Sequence, residues 1–194
     1  MSTLNLTGEL ERLIADIVGR MPEFSHIDPQ RLLVCISTTR GGGIHGTYAK
    51  IHPLRFKDGG RSMTARRGRR TFTCTMPPVT HKGAEVLYII YFLVPRFINL
   101  TLREKLITVL HELYHVAPEF NGDIRRFPGR NYAHGSSAKK YNALMATLAD
   151  AYLEKAADRE ELSFLEGGMD DLRARHETIV GRRFPAPRMR VEPS

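Results

Sequence analysis

Hydrophobic positions near the start of the chain recur at helical spacing, with Leu10, Leu13, Ile14, Ile17 and Val18 marking an amphipathic helix. The pattern then changes. Residues 32–37 are a short apolar run closed by Gly41, Gly42 and Gly43, residues 44–54 offer a partner strand, and residues 71–76 alternate polar with apolar side chains. Residues 86–94 are β-branched and aromatic, bounded by Gly83 and Pro95, which predicts a central strand. That run is too short to cross a bilayer as a helix.

Helical spacing returns after Pro95. Leu102, Leu106, Val109, Leu113 and Val116 form one apolar stripe, Thr101 and Glu104 make a T-x-x-E capping box at its start, and Pro118 predicts its end. Residues 119–130 hold Gly122, Pro128 and Gly129 and read as a loop. A second stripe, through Tyr141, Leu144, Met145, Leu148 and Tyr152, follows Ser136 and Ser137, either of which can cap it. A sheet followed by such helices predicts an α+β fold, a small, mostly antiparallel sheet with both helices packed on one face. Beyond Tyr152 the chain becomes charged, Gly167 and Gly168 interrupt it, and residues 170–180 suit a shorter helix. We expect one domain over 1–160 and a helical, basic extension over 161–194. The tail from Arg182, rich in arginine and proline, reads as mobile or as an interaction arm.

Composition narrows the class. Over 194 residues, 42% hydrophobic and 26% charged is the balance of an ordinary water-soluble globular protein. Glu9, Glu11 and Asp16 interrupt the N-terminal stretch, so a signal peptide is not expected there, and the expected setting is cytoplasmic with no membrane partner. Cys35 and Cys74 form no C-x-x-C pair and are expected to be free, buried thiols. The net charge of +8 is clustered, with Arg61, Arg66, Arg67, Arg69 and Arg70 in one stretch and Arg182, Arg183, Arg188 and Arg190 in the tail. Such clusters attract phosphates, which makes Arg66, Arg67, Arg69 and Arg70 candidate nucleic-acid contacts. A flexible basic loop with no specific partner is the equal alternative.

The candidate chemistry sits on the helix that begins at Thr101. His111-Glu112-Leu113-Tyr114-His115 has H-E-x-x-H spacing. On a helix, residues four apart lie one above the other, so both imidazoles can reach one metal ion while Glu112 stands beside it as a general base. His111 and His115 fall opposite the apolar stripe, flanked by Ile107, Thr108 and Tyr114 rather than by the Lys, Glu and Gln of a solvated face. A catalytic zinc keeps three protein ligands. His134, at the start of the next helix, is the first candidate for the third. Asp123 is the next, with an orienting role behind a ligand histidine also open to it, and Glu119 follows. Tyr132 and Tyr114 are candidate donors to an oxyanion. The motif specifies an activated water and not the bond attacked. A peptidase, a hydrolase of other substrates and a zinc-stabilised nucleic-acid-binding module without catalysis are all compatible with it.

The run HELYHVAPEFNGDIRRFPGRNYAHGSS, residues 111–137, resembles the phage metallopeptidase family. More distantly it is similar to SprT-like zinc peptidases, in which H-E-x-x-H is followed by a second-helix histidine in an H-G context. The resemblance implies a zincin-like fold, one Zn²⁺ held by His111, His115 and His134, Glu112 as the catalytic carboxylate, and a protein or peptide substrate. It also implies the cytoplasm of a phage-infected or prophage-carrying bacterial cell. In similar zinc peptidases an edge strand aligns the substrate backbone, a part that residues 44–54 or 71–76 would play. Some SprT-like peptidases act on DNA-bound proteins, which adds weight to a nucleic-acid partner. The chain departs from the SprT-like pattern in two respects. Ala138 stands four residues after His134, where an aromatic is usual, with Tyr141 coming later, and there is no cysteine-rich ribbon.

Overall fold

The computed structural model describes residues 2–38, 47–128, 137–156 and 159–194. The triple-glycine turn, Tyr132, His134 and Ser136 lie outside the described residues.

The fold is α+β, with small, mostly antiparallel sheets and, among the described residues, four α-helices. Strand β1 (Thr3–Asn5) leads straight into α1 (Leu6–Arg20), where the Asn5 side chain accepts from the Gly8 N–H and caps the helix. The strands that follow are β2 (Leu32–Thr38), β3 (Ala49–Pro53), β4 (Ser62–Arg67), β5 (Arg70–Thr75), the short pair β6 (Thr80–His81) and β7 (Ala84–Glu85), and β8 (Tyr88–Val94). Helices α2 (Leu102–Tyr114), α3 (Ala138–Lys155) and α4 (Met169–Arg175) come next, then β9 (Thr178–Val180) and β10 (Arg190–Pro193). The helix expected over 170–180 is thus split. Its β-branched end, Thr178-Ile179-Val180, pairs in parallel with β1 instead.

The central sheet has the order β2-β8-β3, so the most apolar strand lies in the middle, as its composition predicts. Tyr88, Ile90 and Phe92 of β8 join the main core with α1, α2 and α3, while Ile89 and Tyr91 face a smaller cluster with Leu33, Cys35, Leu54, Met76 and Val86. Burial on both faces explains why this run does not alternate. The β2–β8 pairing is parallel and the β3–β8 pairing antiparallel. Cys35 and Cys74 are both free and buried.

Residues 71–76 belong to a different sheet, of order β10-β5-β4. Strand β5 has partners along both sides, so it has no open edge and cannot take the aligning role raised for it. The arginine cluster, open to reading as a flexible loop, is a β4–β5 hairpin that turns at Gly68. The tail is laid along the body. The Ile36 N–H donates to the Arg182 carbonyl at 2.8 Å, the Arg182 guanidinium pairs with Glu11 and reaches the Val34 carbonyl, and the last strand, β10, adds to β5. The outer edge of β2 is therefore covered by the tail, and the edge of the central sheet that faces α2 is β3.

Candidate metal centre

The helix that carries the histidines is locally specified. Both halves of the capping box form, with Glu104 accepting from the Thr101 N–H at 2.9 Å and Thr101 from the Glu104 N–H at 3.3 Å. Leu106, Val109, Leu113 and Val116 are wholly buried, each worth roughly 1.5–3 kcal/mol of burial. The helix stops at Tyr114, one turn short of the end marked by Pro118. His115 is its C-cap, still in right-handed helical geometry (φ −73°, ψ −16°), with its N–H shared between the Glu112 and Leu113 carbonyls. The i, i+4 relationship of the two histidines thus survives the helix end.

The imidazoles converge. The Nε2 atoms of His111 and His115 are 3.0 Å apart. Two nitrogens bound to one tetrahedral zinc at about 2.0–2.1 Å each would stand about 3.3 Å apart, so the pair fits a shared metal ion with little movement. Between them in sequence, Glu112 is 6% exposed. Burial pushes its carboxyl up to about 7, against a smaller opposing pull from a hydrogen bond to the Ile51 backbone of β3. A cleft of about 240 Å³ opens beside it, lined by Thr47 and Tyr48 just before β3, by Ala49 at its start, and by Ile107, Thr108, His111 and Glu112 of α2.

Tyr141, on α3, closes the other side of the pair. Its ring meets His111 edge-on at 5.0 Å, stacks on His115 at 5.9 Å, and packs against Tyr114 at 5.7 Å. Burial raises the Tyr141 phenol well above its ordinary range, with the Glu112 charge adding to it. Sequence reading placed Tyr141 in the apolar stripe of α3 and missed this contact. Its helical spacing marks a core face and gives no signal of the histidines it meets.

The other candidates are dispersed. Asp123 is buried, its carboxylate receiving Arg126 through Nε at 3.0 Å and the N–H groups of Ile124 and Asp58 at 2.8 and 3.1 Å. It fixes the loop that turns back after His115, where Val116 bridges Ile124 and the Arg125 N–H donates to the His115 carbonyl at 2.7 Å. Glu119 is exposed and lines a separate cavity with Asp58, Asn121 and Arg126. Tyr114 lies under the Arg125 guanidinium at 4.2 Å and stacks on Phe127. Arg66, Arg67, Arg69 and Arg70 belong to the β4–β5 hairpin of the other three-stranded sheet and do not line the cleft. Among the described residues no group of three or more His, Cys, Asp or Glu is placed to hold a metal ion. His134 and Tyr132 lie outside them.

Among the described residues no helix is long and apolar enough to cross a membrane. Neither the curated proteins nor the solved structures supply a match to the chain. One family model does match, over residues 4–148, a span that takes in both histidines of α2, Glu112 and His134. On that match the chain belongs to the family described as Putative phage metallopeptidase.

Proposed function

We propose that the chain is a zinc metallopeptidase of the H-E-x-x-H type, with one Zn²⁺ held by His111, His115 and His134. The observation that carries the reading is the 3.0 Å approach of the two Nε2 atoms beside a buried carboxylate. Bound there, zinc would supply a water of lowered pKa and positive charge against the developing oxyanion.

The chain's own groups do the rest. Glu112, buried beside the histidine pair and the cleft, is placed to accept a proton from the attacking water and pass it to the leaving amine. The substrate backbone lies along β3, whose first residue, Ala49, lines the cleft with Thr47, Tyr48, His111 and Glu112. Tyr132, two residues before His134, and Tyr114 are the candidate oxyanion donors. Asp123 supports the site indirectly, through the loop that returns from His115. The setting proposed is the cytoplasm of a phage-infected or prophage-carrying bacterial cell.

A zinc-stabilised nucleic-acid-binding module without catalysis is the second reading, favoured by the exposed arginines of the β4–β5 hairpin. A structural site has no need of a buried carboxylate beside the metal, so Glu112 favours the peptidase. Zinc per chain in wild type and His134→Ala, measured by mass spectrometry on tag-free protein, tests the ligand set. About one zinc in the wild type with strong loss in the variant supports three histidines. Full retention removes His134 from the ligand set, and no zinc in either protein refutes the metal site.

A further inference from the structure

Between Asp58 and Glu85 the chain has no acidic residue, yet it carries Arg61, Arg66, Arg67, Arg69, Arg70 and Lys82. The fold gathers the middle four arginines at one point. Strand β10 pairs with β5 as far as Phe72, and Ser194 after it donates its N–H to the Thr71 carbonyl at 3.0 Å, so the Arg67–Arg70 pair and the turn run on beyond it as a two-stranded tip. Gly68 turns the ribbon at a φ of 62°, a conformation that glycine adopts without a steric penalty.

The four side chains, like those of Arg183, Arg188 and Arg190 in the tail, are exposed without a carboxylate partner among the described residues, whereas several other surface arginines are paired. Arg12, Arg20, Arg103 and Arg173 are ion-paired with Glu9, Asp16, Asp150 and Asp170. At the hairpin tip, by contrast, all four arginines are exposed, and among the described residues none has a carboxylate partner. There the Arg66 Nε donates to the Gly68 carbonyl at 3.2 Å. Uncompensated positive charge at this density attracts an anionic partner.

The pleat gives the ribbon its shape of charge. Arg66 shares a face with Thr71, and behind it with Thr64, Thr73, Ser62 and Thr75. Arg67 and Arg70 project from the opposite face, and Arg69 from the turn itself. The tip is cationic on both faces. That suits entry between two rows of phosphates better than docking flat on a single acidic protein patch. A major groove about 12 Å wide admits a two-stranded ribbon.

We propose that the β4–β5 ribbon docks on duplex DNA, entering the major groove tip-first, with Arg66, Arg67, Arg69 and Arg70 on the flanking phosphates and the hydroxyl face making further backbone contacts. Phosphate contacts fix position without reading sequence, so the binding is sequence-tolerant. The docking itself is independent of the metal.

The test is fluorescence anisotropy of a labelled mixed-sequence duplex titrated with the full chain at several salt concentrations. We expect a Kd on the order of 1–100 µM at physiological salt. Replacing the four arginines by serine should weaken binding at least about ten-fold and flatten the dependence of log K on log salt by about 3–4 units. Should that variant lose its thermal melt, R67E/R69E takes its place with the same expected loss. Glu112→Gln should bind as the wild type does, which separates this result from failure of the peptidase reading. Wild-type affinity in the arginine variant, tighter binding to polyglutamate or single-stranded RNA than to the duplex, or no duplex binding at low salt would each overturn the proposal.

Discussion

The Tyr141 ring stacks on the imidazole of His115, with centroids 5.9 Å apart and 24° between the planes. The same ring meets His111 edge-on, so a single side chain of α3 limits the rotation of both imidazoles of α2. Removing it leaves a void beside the pair. Tyr141→Ala should cost about 3–5 kcal/mol of stability and weaken zinc binding about 10–100-fold. Tyr141→Phe keeps the ring and should bind zinc nearly as the wild type does. Competition against a chromophoric chelator measures both. Wild-type zinc affinity in a folded Tyr141→Ala protein would mean that the ring packs without positioning the ligands.

Glu112 is assigned the proton transfer and none of the metal binding. Glutamine has nearly the same shape and cannot accept the water's proton. Glu112→Gln should therefore keep its zinc while hydrolysis of an unfolded protein substrate falls at least about 100-fold. Zinc content and turnover are read on the same preparation. Turnover near the wild-type rate would remove Glu112 from the mechanism, whereas loss of zinc would make it a ligand.

How much of this is legible in the sequence depends on how local the signals are. Helix α2 is legible because its cap, its stripe and its histidines all lie within a few turns of one another. Strand β8 is legible because burial on both faces leaves an unbroken β-branched and aromatic run. The β4–β5 hairpin is not, since Arg66, Arg67, Arg69 and Arg70 mask the alternation and Gly68 is as compatible with a loop as with a tight turn. Strand β10 is short, exposed and ends in a proline, and its pairing with β5 joins segments far apart in the chain. No local pattern announces such a pairing. The role of Tyr141 is hidden for a related reason: its spacing marks a core face, and a core face does not say which foreign side chains it meets. Helix α2 also ends earlier than Pro118 suggests because the chain after His115 bonds back on itself, from Val116 to Ile124.

That return loop depends on Gly122. Its φ is 90°, and a Cβ there would lie 2.5 Å from the Arg55 Cγ. Its N–H donates to the Tyr88 hydroxyl at 2.9 Å, which in turn donates to the Asp123 carbonyl at 2.8 Å, so the loop is pinned to the central strand. Gly122→Ala adds both backbone strain and a clash, and should cost about 1–3 kcal/mol. A urea melt of the metal-free protein measures it. An unchanged midpoint would show that the loop can shift without loss.

Lys105 gives the fold a pH dependence that is separable from the metal site. It is wholly buried on α2, and its Nζ donates to the Leu165 and Gly167 carbonyls at 2.6 Å each, tying the helix to the segment before α4. Burial lowers its ammonium from 10.5 to about 8, with Arg175 adding to the shift and Asp171 opposing it. The folded state releases this proton more readily than the unfolded state. Below about pH 8 both states hold the proton and the burial penalty is fully present. From about 8 to 10.5 the unfolded chain binds more protons, so this group's contribution to stability rises with pH. A neutral amine still has hydrogens for both carbonyls, so the tie survives deprotonation. Lys105→Met keeps the packing but leaves both carbonyls unpaired, and should cost about 1–3 kcal/mol at neutral pH. The gap between wild type and variant should then widen as pH passes 8. Urea melts across that range test it, and a constant gap would mean that Lys105 stays charged in the folded protein.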